Sequence, residues 1–345
     1  MASAFARPTA DGSADRNLRR DRGLQGSGGV NPLGLLITKD LASIKGVRIP
    51  VSRRYEPVRI SLGKRRGCEN GPPFVMAKAA QLDDKGDGGM ISLNQLTKRF
   101  GAQTAVDGLT LEIPAGQIVG FLGPNGAGKS TTLKMLTGIL APTSGTATIC
   151  GFNLLTDTIE VKRRVSFVPE SGAVFESLTG LEYLEMVAAL YAIPPDAARE
   201  RIRQFIAFFD LSFETLTDKL LGAYSKGMRR KVVITSALMH NPPVVFFDEP
   251  LDGLDANAAV GFKALIQTLA HEGKTIVYSS HILDVVERVC ERVIIIDKGK
   301  LLVDGKPEEL VAAHQSGTLE RLFTQLTGGA ELEQRAQDFA RTFQS

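Results

Sequence analysis

The stretch FLGPNGAGKST, residues 121–131, constrains the fold of this chain more than any other part of the sequence. It fits the pattern G-x-x-x-x-G-K-[ST] from Gly123 to Ser130, between the apolar run IVGFLG and the segment LKMLTGIL. In such a turn from strand to helix, glycines allow consecutive backbone N–H groups to converge on phosphate oxygens. We therefore predict a phosphate-binding loop. The alternative is a glycine-rich surface turn.

The predicted loop gives its charged and hydroxyl side chains distinct roles. Lys129 is expected on the β- and γ-phosphates and Ser130 on Mg²⁺, while the helix N-terminus adds the positive end of its dipole. The candidate binding residues of the loop are Gly123, Pro124, Asn125, Gly126, Ala127, Gly128, Lys129, Ser130 and Thr131.

Length and composition are those of a globular chain with room for one large domain and a smaller piece. The chain has 345 residues, of which 43% are hydrophobic, enough to bury a full core. Its three cysteines, Cys68, Cys150 and Cys290, are far apart and odd in number. A disulfide framework and a cysteine metal cluster are therefore not expected, and a reducing cytosol fits.

The basic charge of the chain is concentrated in residues 1–89. This part contains 16 of the 41 Lys and Arg residues but only 9 of the 38 Asp and Glu residues. It mixes Gly, Pro, Ser and Arg without sustained apolar periodicity, so we predict a disordered N-terminal extension. A targeting peptide is a competing interpretation, but acidic residues interrupt the Arg-rich start and no apolar core segment follows. The short basic runs RRDR and KRR favour a solvated tail over nucleic-acid binding.

An orderly strand-like pattern begins at Met90 with MISLNQLTKRF. The abrupt change in composition motivates the hypothesis that Met90 is the authentic start of translation. N-terminal sequencing of the native protein tests it, because peptides from residues 1–89 would reject it.

Short strands and turns precede and follow the phosphate loop. ISLNQLTKRF, LTLEI and IVGFLG read as strands of a small, mainly antiparallel sheet, and TATICGF and VSFVPE read as strands after the loop helix. A long stretch with helical character follows. Thr179 and Glu182 have capping-box spacing, and Pro194–Pro195 ends the first helix. We predict a helical insertion over residues 171–240 within an α/β core.

The segment PPVVFFDEP, residues 242–250, predicts a strand buried on both faces that ends in Asp248 and Glu249. In open α/β sheets, ligands bind at the carboxyl ends of strands, where the phosphate loop also opens. One carboxylate there suits Mg²⁺ and a second suits the polarisation of an attacking water. The alternative is that the two acids solvate a turn.

From residue 90 to about 305 the sequence resembles the nucleotide-binding subunits of ATP-binding-cassette (ABC) transporters. The motifs that carry the resemblance occur in order: GPNGAGKST, VVFFDEP, LDGLDA and IVYSSH. Phe100 matches an aromatic residue that stacks on adenine, and His281 matches a switch histidine that contacts the γ-phosphate. The resemblance implies an α/β, P-loop NTPase (RecA-like) core with an antiparallel β subdomain and an inserted α-helical subdomain. Beyond the resemblance, the segment PEELVAAHQSGTLERLFTQLTGG predicts a short amphipathic helical tail over residues 306–345.

Two positions depart from the common pattern of that family. The signature usually reads Leu-Ser-Gly-Gly-Gln, whereas this chain has YSKGMRRK from Tyr224 to Lys231. Ser225 and Gly227 are retained and suit a γ-phosphate, so we expect the signature to function. Glu170 stands where most members carry glutamine; it can still ligate Mg²⁺ but adds negative charge near Glu249. Both variants are similar to those in the exporter branch (ABC-2 type) that resembles drug and polysaccharide efflux ATPases.

The resemblance implies ATP hydrolysis with ATP and Mg²⁺ as ligands. Glu249 is the expected base, Lys129 and His281 are expected to stabilise charge, and Glu170 and Asp248 are expected to hold the metal with the loop hydroxyl. Two subunits are expected to pair head to tail in the presence of ATP, so that the signature of one completes the site of the other.

A transport function requires a separate membrane-spanning permease. The sequence has no run of 18 apolar residues, so we do not expect it to span a membrane. By resemblance it would lie at the cytoplasmic face, docked through residues 170–191, with no nucleic-acid partner expected. Ordinary helix packing is an equally good interpretation of that segment.

Other functional classes fit the sequence less well than a transport ATPase. A soluble cassette ATPase that acts on ribosomes or DNA stays open, although such proteins usually carry two cassettes or a long coiled-coil insertion. A signalling GTPase would need Asn-Lys-x-Asp, which does not occur. A small-molecule kinase would leave the signature, the Asp-Glu pair and the histidine without a role.

Overall fold

The computed structural model describes residues 90–328, 335 and 338–343. The predictions for residues 1–89, including Cys68, lie outside the described residues. The strands form two sheets. In chain order they are β1 (Ile91–Phe100), β2 (Gln103–Ile113), β3 (Ile118–Leu122), β4 (Ser144–Ile149), β5 (Phe152–Asn153), β6 (Val165–Val168), β7 (Val244–Asp248), β8 (Thr275–Ser279), β9 (Arg292–Asp297) and β10 (Lys300–Gly305).

Helices connect most of these strands, and a short 3₁₀ turn (Leu221–Ala223) precedes the sixth helix. The α-helices are α1 (Lys129–Leu136), α2 (Thr158–Arg164), α3 (Gly180–Leu190), α4 (Pro195–Phe208), α5 (Phe213–Asp218), α6 (Lys226–Leu238), α7 (Ala256–His271), α8 (Leu283–Val289), α9 (Pro307–Ala313) and α10 (Leu319–Thr327).

The larger sheet has six strands in the order β10-β9-β3-β8-β7-β6. The five strands from β9 to β6 are parallel, and β10 pairs antiparallel with β9 at the edge. Since β3, β8, β7 and β6 are neighbours and run in the same direction, the loops after them emerge at one edge of the sheet.

Both faces of this sheet are buried, as the apolar runs predict. Along β7, Val244 and Phe246 belong to one hydrophobic cluster, whereas Val245 and Phe247 belong to a second cluster on the other face. The first cluster includes α1 and the antiparallel sheet, and the second includes the helices from α3 to α8. Successive side chains of β7 point to opposite faces of the sheet, and both faces are covered. The parallel sheet is therefore the middle of three layers.

The smaller sheet is antiparallel, in the order β2-β1-β4-β5. One sequence-based expectation is wrong here. The sequence of IVGFLG predicts a strand of this sheet, but β3 lies inside the parallel sheet between β8 and β9. All five residues of β3 are buried, which is the environment of a central parallel strand.

The helices α3 to α6 all lie between β6 and β7 in the chain. The predicted capping box is confirmed: the side chain of Thr179 accepts from the backbone of Glu182, whose carboxylate accepts from the backbone of Thr179. Pro195 begins α4 after α3 has ended at Leu190. The predicted α/β core with an antiparallel sheet and an inserted helical part is confirmed.

The C-terminal segment contains α9 and α10. Leu319 and Leu322 of α10 are buried in the cluster that also contains α8, so this part of the tail packs on the core. Within the described residues, we find no helix both long and apolar enough to cross a membrane.

Candidate functional site

Four parallel strands deliver the candidate residues to one edge of the sheet. The phosphate loop follows β3, and Glu170 follows β6 by two residues. Asp248 is the last residue of β7, and Ser280 and His281 follow β8. Asp248 is paired with Ser279 across the neighbouring strands, so the ends of β7 and β8 are level with each other. The structure therefore brings together residues that are up to 158 positions apart in the chain, Gly123 and His281 among them.

Glycines shape the phosphate loop in two ways. Gly126 and Gly128 have positive φ angles of 83° and 107°, a conformation that L-residues with a side chain rarely adopt. Gly123 is needed for close approach, because a Cβ there would lie within 3.0 Å of the Ile296 carbonyl oxygen. Helix α1 then begins at Lys129 with Gly128 as its N-cap, so its first N–H groups face the loop.

Lys129 folds back over this loop. Its Nζ donates to the carbonyl oxygens of Gly123 at 2.5 Å and Pro124 at 3.2 Å. Burial lowers the pKa of Lys129, and the nearby carboxylates of Glu249, Asp248 and Glu170 partly oppose that shift. The Lys129 ammonium therefore lies near three carboxylates and the N–H groups of the first turn of α1. This combination suits a bound anion together with a metal ion.

Glu249 and His281 form a pair at the end of β7 and β8. His281 Nδ1 lies 2.9 Å from Glu249 Oε2, and Ser280 Oγ donates to the same oxygen at 3.3 Å. The side chain of Glu249 is 13% exposed and that of His281 is 73% exposed. Glu249 has a φ of 49°, an uncommon backbone conformation for a non-glycine residue. Such local strain is typical of a functional residue held by its surroundings.

Phe100 and Glu170 are candidate residues outside the phosphate loop. Phe100 ends β1, is 49% exposed, and has the ammonium of Lys98 at 5.2 Å from its ring centroid. The following strand β2 reaches the phosphate loop, since a Cβ at Gly128 would clash with the carbonyl oxygen of Ala105. Glu170 is exposed, and its carboxylate is close enough to raise the pKa of Lys129.

The contacts of the signature turn are with residues outside the phosphate loop. Ser225 is the N-cap of α6, where its hydroxyl accepts from the backbone of Met228 at 3.2 Å. Gly227 packs against Gly253, leaving no room for a Cβ. Lys226, which replaces a family glycine, makes an ion pair with Asp252 at 2.5 Å. These contacts tie the signature to the loop after β7 and not to residues 123–131.

Sequence reasoning missed two polar residues that contact the site. Ser280 donates to Glu249, and Arg230 donates to the backbone of the loop that carries Glu170. The signal for Ser280 was its place beside His281 in the run SSH. The signal for Arg230 was its position four residues after Lys226, on the same face of α6.

Comparisons with known proteins agree with this geometry. The family model described as ABC transporter matches residues 106–252. The ABC transporter ATP-binding protein NatA of Bacillus subtilis (strain 168) is 36% identical over 240 residues, which is 68% of this chain and 96% of that protein. The chain belongs to the ATP-binding proteins of ABC transporters.

For two further relatives, the match covers a smaller share of the relative's own length. The daunorubicin/doxorubicin resistance ATP-binding protein DrrA of Streptomyces peucetius is 36% identical over 243 residues, 70% of this chain and 73% of that protein. An uncharacterized ABC transporter ATP-binding protein of Nostoc sp. (strain PCC 7120 / SAG 25.82 / UTEX 2576) is 37% identical over 212 residues. That match covers 61% of this chain and 63% of the Nostoc protein, less than two thirds of its length.

A solved structure supports the fold of this ABC protein. The dimeric, post-hydrolysis state of the ATP-binding cassette MJ0796 bound to ADP and Pi matches with a TM-score of 0.58 and 27% identity, over 63% of this chain and 98% of that one. The fold is that of the P-loop NTPase core of ABC ATPases. As a member of the ATP-binding proteins of ABC transporters, the chain is an ATP-hydrolysing, nucleotide-binding subunit.

Proposed function

We propose that this subunit drives export through a separate membrane permease, with one Mg²⁺-ATP bound at the edge where β3, β6, β7 and β8 end. The observation that carries the proposal is the convergence of Lys129, Asp248, Glu249 and His281 at that edge. It supplies a cation for phosphates, a metal-binding acid, a base and a partner for the base in one place.

The proposed metal ligands fit Mg²⁺ by their chemistry. Mg²⁺ prefers oxygen ligands and is commonly held by one or two carboxylates together with substrate phosphates. Asp248 is buried at the end of β7, and the hydroxyl of Ser130 lies in the first turn of α1. We assign Asp248, Ser130 and Glu170 to the metal. When bound, Mg²⁺ neutralises phosphate charge.

ATP has to displace Lys129 from the carbonyl oxygens that it contacts now. The adenine is proposed to stack on the exposed ring of Phe100, and the phosphates to accept from the N–H groups of residues 123–131. Glu249 takes a proton from the attacking water. His281, whose Nδ1 already lies 2.9 Å from the Glu249 carboxylate, orients that carboxylate and reaches toward the γ-phosphate. Lys129 stabilises the charge that develops on the phosphate oxygens.

The signature is proposed to act on a second copy of the chain. Ser225 and Gly227 lie at the N-terminus of α6, whose N–H groups suit a phosphate. Their contacts are with Met228 and Gly253, which do not belong to the phosphate loop. A head-to-tail dimer would place each signature on the nucleotide of the other subunit, so that ATP closes the dimer.

The permease is proposed to dock on residues 170–191 and to hold the subunit peripherally at the cytoplasmic face of the membrane. At the end of α3, Leu190 and Tyr191 are 42% and 37% exposed. Export is favoured by the name of the DrrA relative, a drug-resistance protein, and by the signature and Glu170 variants.

Affinity capture tests the proposal. The tagged full-length Glu249→Gln variant, held with ATP, is purified from detergent-solubilised native membranes, with Lys129→Ala as the control that does not hold ATP. Recovery of one multi-span membrane protein at near-equal amount supports the transport function. Recovery of ribosomal proteins or nucleic-acid factors without a membrane protein would contradict it and favour a soluble cassette ATPase.

A further inference from the structure

Arg230 is among the most deeply buried charged side chains of the described structure, with 2% of its surface exposed. It lies in the second turn of α6, and its guanidinium donates to two consecutive carbonyl oxygens: Nη1 to Pro169 and Nη2 to Glu170, both at 2.7 Å. Its Nε reaches the carbonyl oxygen of Asp252 at 3.4 Å. One side chain therefore connects α6, the loop after β6 and the loop after β7.

This arrangement uses the shape of the guanidinium group. A planar fork with several fixed donors can satisfy two neighbouring acceptors at once, which a lysine ammonium cannot do with the same geometry. Buried carbonyl groups need such partners, because no water reaches them. The two donors of the Arg230 guanidinium therefore fix the orientation of the Glu170 backbone, as well as its distance from α6.

The charge of Arg230 is matched by the acids of the site. Burial lowers its pKa, and the carboxylates of Asp252, Asp248, Glu170 and Glu249 oppose that shift in decreasing order. Glu170 adds one negative charge to this group compared with the glutamine common in the family. The buried cation behind the loop offsets that additional charge.

The loop after β7 is held to the same helix by two other contacts. Lys226, one turn before Arg230, pairs with the carboxylate of Asp252 at 2.5 Å. Gly227 and Gly253 approach so closely that neither position has room for a side chain without displacement of its neighbour. As a result, the N-terminus of α6 and both loops form one connected unit next to Glu249.

We propose that Arg230 is a positioning residue for ATP hydrolysis, which fixes the backbone of Glu170 onto α6 so that the Glu170 carboxylate points to the Lys129 site. The proposal rests on the role proposed above for Glu170. Among the described residues, the hydrogen bonds of Arg230 go to Pro169, Glu170 and Asp252 and not to residues 123–131 or Glu249, so it acts through the placement of Glu170.

A double-mutant cycle tests this role. Arg230→Lys keeps the buried charge but loses the fork, and we expect it to lower kcat about tenfold, because small displacements at a site cost that much or more. Since the phosphate loop is untouched, the Kd for a fluorescent ATP analogue should stay within about twofold of the wild-type value. In a Glu170→Ala background, Arg230→Lys should change kcat by less than about twofold, because the group that it positions is gone.

Two further variants complete the test. Arg292→Lys makes the same change at the start of β9, at the opposite edge of the sheet from the site, where the guanidinium donates to both carboxylate oxygens of Asp304 at 2.6 and 2.7 Å, and we expect wild-type kcat. Arg230→Gln removes the charge and retains one donor group; it replaces Arg230→Lys in the cycle if the lysine variant does not melt cooperatively.

The possible results separate this inference from the proposed function. An equal loss of kcat in the wild-type and Glu170→Ala backgrounds would show a general structural role and overturn the proposal, as would wild-type kcat in Arg230→Lys. A wild-type chain without ATP hydrolysis would overturn the proposed function itself, and with it the role of Glu170.

Discussion

The phosphate loop and the signature turn are both predicted to contact phosphate, but different interactions hold them in place. The phosphate loop is fixed by its backbone: positive φ angles at Gly126 and Gly128, and close packing of Gly123 against Ile296. The signature turn also has one close backbone approach, between Gly227 and Gly253, but it is held in addition by side chains, through the Lys226–Asp252 ion pair and the contacts of Arg230 with two carbonyl groups.

This difference accounts for where the sequence keeps to the family pattern and where it departs from it. The phosphate loop depends on glycines that leave no room for side chains, so few substitutions are tolerated. Accordingly, GPNGAGKST matches the family's phosphate-loop pattern throughout. A turn held by side chains tolerates a change when a partner is present. Lys226 replaces a glycine, and the carboxylate of Asp252 lies within reach of its ammonium group.

The largest effect is expected at the acids beside the phosphate loop. Glu249→Gln should leave ATP binding intact and lower kcat by about 10²-fold or more, because loss of a general base costs that much. Steady-state hydrolysis and binding of a fluorescent ATP analogue measure the two effects. Glu308→Gln, an exposed change in α9, serves as the control. Unchanged turnover in Glu249→Gln would remove Glu249 as the base.

The next effect tests whether backbone packing fixes the phosphate loop. Gly123→Ala should lower the free energy of unfolding by about 1–3 kcal/mol, because the new methyl group would overlap the Ile296 carbonyl and the Ala127 side chain. ATP binding should weaken as well. Urea denaturation gives the stability. Gly261→Ala in α7, where the new group meets only the flexible end of Phe208, is the matched control. Equal stability of the two variants would contradict the argument.

A smaller effect on stability is expected at the N-cap of α6, the signature helix. Ser225→Ala removes the acceptor for the N–H of Met228 and should cost about 1 kcal/mol of stability. Ser225→Asp keeps an acceptor at this position, so it should retain stability, but its charge would repel a phosphate and abolish turnover. Thermal melts and hydrolysis assays separate the two. Normal turnover in Ser225→Asp would exclude the signature from phosphate binding.

The smallest effect is expected at the residue that departs from the family pattern. Lys226→Gly restores the common glycine and removes an ion pair whose side chains are 66% and 36% exposed. An exposed pair of this kind contributes under about 1 kcal/mol, so stability should change by no more than that. Denaturation at low and high salt measures it. A loss of several kcal/mol would mean that the turn depends on this pair more than its exposure indicates.

Local patterns in the sequence predicted much of the fold and part of the site. The run VVFFD predicted a strand buried on both faces, and Thr179 with Glu182 predicted the start of α3, because each depends on neighbours in the chain. The position of β3 in the parallel sheet was not predicted, since periodicity gives the burial of a strand but not its partners.

Contacts between distant residues explain the rest of the site. Arg230 reaches Glu170 across 60 positions and Ser280 reaches Glu249 across 31. Neither contact follows from spacing, because both depend on how α6 and β8 pack beside the loops. The motif residues were predicted from local sequence: Lys129 from the phosphate-loop pattern, Asp248 and Glu249 from the acidic end of VVFFDEP, and His281 from the resemblance of IVYSSH to the family motif.

Complementation between two inactive variants tests the central claim most directly. Lys129→Ala disables the phosphate loop and Ser225→Asp disables the signature, so each protein alone should have no turnover. In a mixed head-to-tail dimer, one site combines an intact phosphate loop with an intact signature. Equal amounts should therefore recover about a quarter of the wild-type rate, since half of the dimers are mixed and each has one good site. A mixture as inactive as its components, beside an active wild-type chain, would contradict a site shared between two subunits.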